Sequence, residues 1–125
     1  MPHATILYAE DHEPLRSALK ETLELEGWRG AACADGLTAL AELEGAARYD
    51  LLLFDKELPG ADGLELTRRA RGLAHRRDTP VVIMSASEAG AEARRAGADA
   101  FLLRKPEGIR EIVETVARLL AACRV

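Results

Sequence analysis

The chain has 125 residues, of which 48% are apolar, 30% charged and 4% aromatic, with a formal net charge of -4. That length gives room for about one domain around one core. The composition excludes a disordered or collagen-like chain, and the negative charge argues against a general grip on nucleic acid. No stretch approaches the roughly 18 apolar residues of a membrane span, and Met1-Pro2-His3-Ala4 carries no charged secretory region. A cytoplasmic protein without a membrane partner is expected. Cys33 and Cys123 lack metal-ligand spacing and sit among alanines, which reads as two reduced, structural thiols. Arg68-Arg69, Arg76-Arg77 and Arg94-Arg95 read as solvated helix faces.

In chain order, Thr5 to Ala9 is a short apolar strand, and Leu15, Ala18, Leu19, Thr22 and Leu23 then share one helical face. Pro14 suits the first turn of that helix, where its missing N–H would be unpaired anyway, and Gly27 ends it. Trp28 to Ala34 is the second strand. After the Asp35-Gly36 turn, Leu37, Leu40, Ala41 and Leu43 form the inward stripe of a second helix ending near Gly45. Asp50 to Phe54 is the third strand. A third helix follows Asp62-Gly63, with Asp62 as its N-cap, Leu64, Leu66, Thr67 and Ala70 facing inward, and Gly72 at its end. Val81 to Met84 is a strand, Glu88 to Ala96 a short Ala-rich helix closed by Gly97, and Ala100 to Leu103 the fifth strand. Ile109, Ile112, Val113, Val116, Leu119 and Leu120 give the clearest helical stripe of the chain.

Five strand–helix units in alternation imply an α/β fold with a five-stranded parallel sheet, right-handed crossovers and helices on both faces. The flavodoxin-like, doubly wound order 2-1-3-4-5 fits, and its ligand crevice lies beyond the carboxyl ends of strands one and three. Those ends carry Glu10-Asp11 and Asp55, while the next two strands end in Ser85 and Lys105. Each residue alone has an ordinary reading: a helix cap for Asp11, a turn for Ser85, surface solvation for Lys105. Their succession along neighbouring strand ends is what points to one site. Gathered carboxylates repel each other unless a cation offsets them, and Mg²⁺ (or Mn²⁺) suits one or two carboxylates with room left for phosphate oxygens.

These residues resemble the receiver domain of two-component response regulators over essentially the whole chain, residues 1–125, as a single domain. The motif consists of Glu10-Asp11, Asp55, Pro59-Gly60, Asp62-Gly63, Ser85-Ala86 and Lys105-Pro106. The resemblance implies that Asp55 accepts a phosphoryl group from a phosphohistidine on a sensor histidine kinase or phosphotransfer protein. It implies a metal held by Asp11, Asp55 and the main-chain carbonyl of Glu57, with Glu10 binding through water. Lys105 would counter the phosphoryl charge, with a cis bond before Pro106 setting its backbone. Ser85 would sense the phosphoryl group and bias the face formed by the fourth helix, fifth strand and fifth helix toward an unknown downstream protein or a homodimer. Catalysis would be limited to the domain's own phosphorylation and dephosphorylation.

Two features depart from the family's pattern. The residue three before Lys105 is Leu102, whereas the aromatic, Phe101, lies four before; strand parity then requires a bulge for Phe101 to serve as the switch aromatic. The segment from Ser85 to Gly97 is also about one helical turn short. These departures leave open a phosphorylation-independent pseudo-receiver that acts as an interaction module. A phosphatase is disfavoured because Glu57 stands where a second aspartate is usual and no cap domain is encoded. A flavin domain is disfavoured by the lack of a Ser/Thr/Gly-rich loop after strand one. Glu57 itself is either a solvated loop residue or a group that orients or repels hydrolytic water.

Overall fold

A computed structural model describes residues 3–103 and 108–122. Its elements alternate as β1 (Thr5–Ala9), α1 (Glu13–Leu25), β2 (Arg29–Cys33), α2 (Gly36–Glu44), β3 (Leu51–Asp55), α3 (Gly63–Gly72), β4 (Val81–Ser85), α4 (Gly90–Ala96), β5 (Ala100–Leu103) and α5 (Ile109–Ala122). The strands are parallel in the order β2-β1-β3-β4-β5, as expected.

Strand parity builds two cores from one sheet. Leu7, Leu52, Phe54, Val81 and Ile83 face Ala39 and Leu43 of α2, Leu66 and Ala70 of α3, and Ala93 and Ala96 of α4. Ile6, Tyr8, Leu51, Leu53, Val82 and Met84 face Leu19 and Leu23 of α1 and Ile112, Val116 and Leu120 of α5. β3 and β4 are buried throughout, so they read as continuous apolar runs. Each fully buried Leu or Ile contributes about 1.5–3 kcal/mol relative to exposure. Cys33 belongs to the first core, where burial, then the nearby Glu42 and Asp35 carboxylates, push its thiol up to about 11. The reading of Cys33 as inert and structural holds, while Cys123 lies outside the described residues.

The helix boundaries follow local chemistry. Pro14 occupies the first turn of α1. The Asp35 and Asp62 carboxylates accept the backbone N–H groups of Thr38 and Glu65 at 2.7 and 2.8 Å and so cap α2 and α3. Capping by Asp11 is not observed: the N-cap of α1 is His12, without a side-chain cap. The inward stripe expected on α2 is corrected. Leu43 is buried and Leu40 packs on the core, as expected, and Ala39 joins them, whereas Leu37 is 63% exposed and Ala41 lies on the outer surface. The helix begins at Gly36, pressed against the β3–α3 loop, which rotates the stripe onto the i, i+4 pair 39 and 43. α4 begins at Gly90, two residues later than expected, and has seven residues.

Arg76 departs from the solvated-face reading of its pair, whereas Arg77 is exposed as that reading expects. Arg76 is 2% exposed and lies in the connection before β4. Its Nε donates to the Leu43 carbonyl at 3.0 Å and its Nη2 to the Glu42 and Gly45 carbonyls at 3.1 Å each. The guanidinium therefore closes the carboxyl end of α2, where unpaired carbonyls carry the negative end of the helix dipole. It also sits 5.0 Å from the centre of the Tyr49 ring, whose hydroxyl donates to the Glu42 carboxylate.

Candidate metal and phosphoryl site

Parallel strands start and stop together, so the residues just past β1, β3 and β4 are neighbours. The register pairs Ala9 with Phe54 and Asp55 with Met84. Glu10 and Asp55 share the parity of Tyr8 and Leu53, which aims both carboxylates toward the α1 side. Ligand-capable oxygens of Glu10, Asp11 and Asp55 lie within 4.8 Å of one another. Glu10 is 0% and Asp55 1% exposed, whereas Asp11 faces solvent at the mouth. A carboxylate ending β3 is thus buried at the rim of the core rather than outside it.

The surrounding main chain holds this cluster in shape. The Glu10 N–H continues the sheet by donating to the Cys33 carbonyl at 3.0 Å, and a Glu10 carboxylate oxygen accepts the His12 N–H at 3.0 Å. Arg16, one turn into α1, donates to the Glu10 carbonyl at 2.9 Å and the Asp11 carbonyl at 3.4 Å, pinning the β1–α1 loop. Sequence reasoning missed Arg16, because nothing separates an arginine at the start of an amphipathic helix from a solvated one. On the other side, the Lys56 N–H donates to the Met84 carbonyl at 2.7 Å, and the Glu57 N–H to Asp55 Oδ1 at 3.0 Å. Gly63 lets α3 approach this loop: a Cβ there would lie 2.6 Å from the Asp55 carbonyl oxygen. Gly60, at φ +89°, supplies the left-handed turn between.

Ser85 ends β4 with no exposed surface. Its hydroxyl lies 3.1 and 3.0 Å from Oε1 and Oε2 of Glu57, and its oxygen accepts the Ser87 N–H at 3.2 Å. Glu57 is exposed in its loop, as the solvated reading expects, and its carboxylate also accepts the Ser85 hydroxyl. The expected neighbourhood of Glu10, Asp11, Asp55, Glu57 and Ser85 is realised, while Lys105 and Pro106 lie outside the described residues. β5 pairs with β4 in unbroken register from Ala100 to Leu103. No bulge is needed within those residues to bring the aromatic to α4: Phe101 packs on the α2–α3–α4 core and Leu102 on the opposite one.

The donor set consists of hard oxygens, three carboxylates close enough to share an ion, which fits Mg²⁺ or Mn²⁺ and not a soft metal. Carboxylates gathered this closely repel each other unless cations offset them, which suits a site for a divalent ion.

Comparison with known proteins gives the same picture. Residues 6–117 match the family model of the response regulator receiver domain. The transcriptional regulatory protein ResD of Bacillus subtilis is 36% identical over 92% of this chain and 47% of its own length. Among solved structures, the Francisella response regulator 1452 receiver domain superposes with a TM-score of 0.87 at 26% identity, covering 98% of this chain and all of that one. The receiver domain of the Pseudomonas aeruginosa sensor histidine kinase PA1611, solved with magnesium coordinated in its active-site cleft, has a TM-score of 0.84 at 28% identity, covering 96% and 99%. The chain spans half or less of the length of these curated relatives, from 17% for RpfC of Xanthomonas campestris to 50% for MprA of Mycobacterium tuberculosis. In sequence and in fold, the chain belongs to the response regulator receiver domain family of two-component systems.

Proposed function

We propose that residues 1–125 work as one receiver that takes a phosphoryl group onto Asp55 from a phosphohistidine of a sensor histidine kinase or phosphotransfer protein. The observation that carries this reading is the juxtaposition, within 4.8 Å, of Glu10, Asp11 and Asp55 oxygens at adjacent strand ends. A carboxylate oxygen of Asp55 attacks phosphorus in line; the P–O bond forms as the P–N bond breaks, and the released imidazole takes a proton from water. The Glu57 N–H donates to Oδ1 and so fixes the orientation of the Asp55 carboxylate. Asp11, Asp55 and the Glu57 main-chain carbonyl would hold Mg²⁺ or Mn²⁺, with Glu10 acting through water. When bound, the ion offsets phosphoryl charge and orients the oxygens for displacement.

Lys105 is assigned as the counter-charge and Ser85 as the hydroxyl that detects the new phosphoryl oxygens. The readout is a shift of the β4–α4 loop that changes the α4–β5–α5 face for a downstream protein or a second copy of the chain. Chemistry is confined to the domain's own phosphorylation and dephosphorylation. Family membership and the absence of any membrane-spanning helix among the described residues support action in the cytoplasm.

The test is intact mass after incubation with Mg²⁺ and a small phosphodonor such as phosphoramidate. The wild type should gain one phosphoryl group and Asp55→Asn none. A folded wild type without mass gain would instead support a receiver that works by constitutive binding.

A further inference from the structure

We infer that Glu57 is an internal acceptor for Ser85, so that switching is an exchange of acceptors: the Ser85 hydroxyl leaves the Glu57 carboxylate when it turns to a phosphoryl group on Asp55. The inference rests on the phosphoacceptor reading above and adds a positioning residue to it.

A serine hydroxyl has one proton to give. Ser85 Oγ, without exposed surface, stands 3.0–3.1 Å from both Glu57 oxygens and accepts the Ser87 N–H at 3.2 Å. Its single donor is thus engaged before any phosphoryl group arrives, and through Ser87 it ties the β4–α4 loop to the β3–α3 loop. A carboxylate offers the same kind of anionic oxygen as an acyl phosphate. The two acceptors exclude each other for that one proton.

Glu57 is also built to leave. Its side chain is about half exposed, with the Lys56 ammonium 3.5 Å away, so the carboxylate can turn to water and a cation without being stranded in the core. Its main-chain N–H on Asp55 Oδ1 places the same residue against the phosphoacceptor and the sensor. A phosphoryl dianion would repel the carboxylate, which couples its departure to the arrival of charge on Asp55.

The test is a double-mutant cycle on Glu57→Ala and Ser85→Ala, read in two ways. The first is the affinity for beryllofluoride with Mg²⁺, a stable analogue of an aspartyl phosphate, by calorimetry. Removing Glu57 should tighten binding roughly 3- to 10-fold when Ser85 is present, the range of an ordinary net hydrogen bond because the half-exposed Glu57 carboxylate is partly hydrated, and less than about 2-fold in the Ser85→Ala background. Glu57→Gln, neutral but still an acceptor, should fall between. The second is urea unfolding without metal, in which the two substitutions should be non-additive. Equal tightening with and without Ser85 would show that Glu57 acts by charge alone and overturn the exchange, as would additivity in unfolding. A wild type that binds no beryllofluoride would overturn the phosphoacceptor reading itself, and the exchange with it.

Discussion

The two ends of the sheet both bury charge, and they do so in opposite ways. At the amino end, the buried Arg76 before β4 and the partly buried Arg71 in the last turn of α3 are spent largely on main-chain carbonyls. Arg76 closes α2, and Arg71 donates to the carbonyls of Thr79, Arg77 and Gly97 and to the Asp99 carboxylate at 2.7–3.0 Å. Every such charge meets an opposite partial charge, and the result is a set of staples. At the carboxyl end, Glu10, Asp11 and Asp55 bring like charges together, and Glu57 adds a fourth carboxylate nearby. Satisfied charge stabilises; gathered like charge is retained because a cation and a phosphoryl group complete it.

The contrast can be tested by removing one charge at each end. Asp55→Asn should abolish phosphoryl uptake altogether while leaving the fold at least as stable, by about 1 kcal/mol from relieved repulsion, in urea denaturation. Arg76→Ala should do the reverse. The Leu43 carbonyl loses its side-chain donor, while the Glu42 carbonyl keeps the Gly45 N–H and the Gly45 carbonyl keeps the His75 ring nitrogen; the fold should weaken by about 2 kcal/mol while the folded protein still takes up phosphoryl groups.

Tyr49 gives a pH test of the amino end. Burial, then its hydrogen bond to the Glu42 carboxylate, push its hydroxyl from 10.0 up to about 12. The folded protein holds that proton more tightly than the unfolded chain does. The Tyr49 contribution to stability is therefore full below pH 10 and should fall by roughly 2 kcal/mol as the pH rises toward 12, a loss that Tyr49→Phe removes while the Cys33 loss between about pH 9 and 11 remains in both proteins. Urea midpoints across this range for the two proteins check it. The smallest effect belongs to the corrected α2 stripe. Ala41→Lys, on the outer surface, should change stability by less than about 0.5 kcal/mol, whereas Ala39→Lys, in the core, should prevent folding.

The alternation of apolar strands with periodic helices made all five units and their order legible from residues alone, because parity and period are local. Asp55, Glu10 and Ser85 were legible for a related reason: polar residues that end apolar strands stand out. The phase of α2 was not, since nothing in Leu37-Thr38-Ala39-Leu40 says that Gly36 docks against the β3–α3 loop. Arg71, Arg76 and Arg16 were invisible because an arginine bound to carbonyls has the same sequence context as a solvated one. Glu57 was a choice between two roles, and only the fold brings its carboxylate to a serine 28 positions away.

The most direct test of the central claim is to locate the phosphoryl group at residue level after reaction with a small phosphodonor, with Mg²⁺ present and with it chelated. The expected result is an acyl phosphate on Asp55 alone, formed only with the metal. A phosphoryl group on Ser85 or a histidine, or equal labelling of Asp55 after chelation, would contradict it.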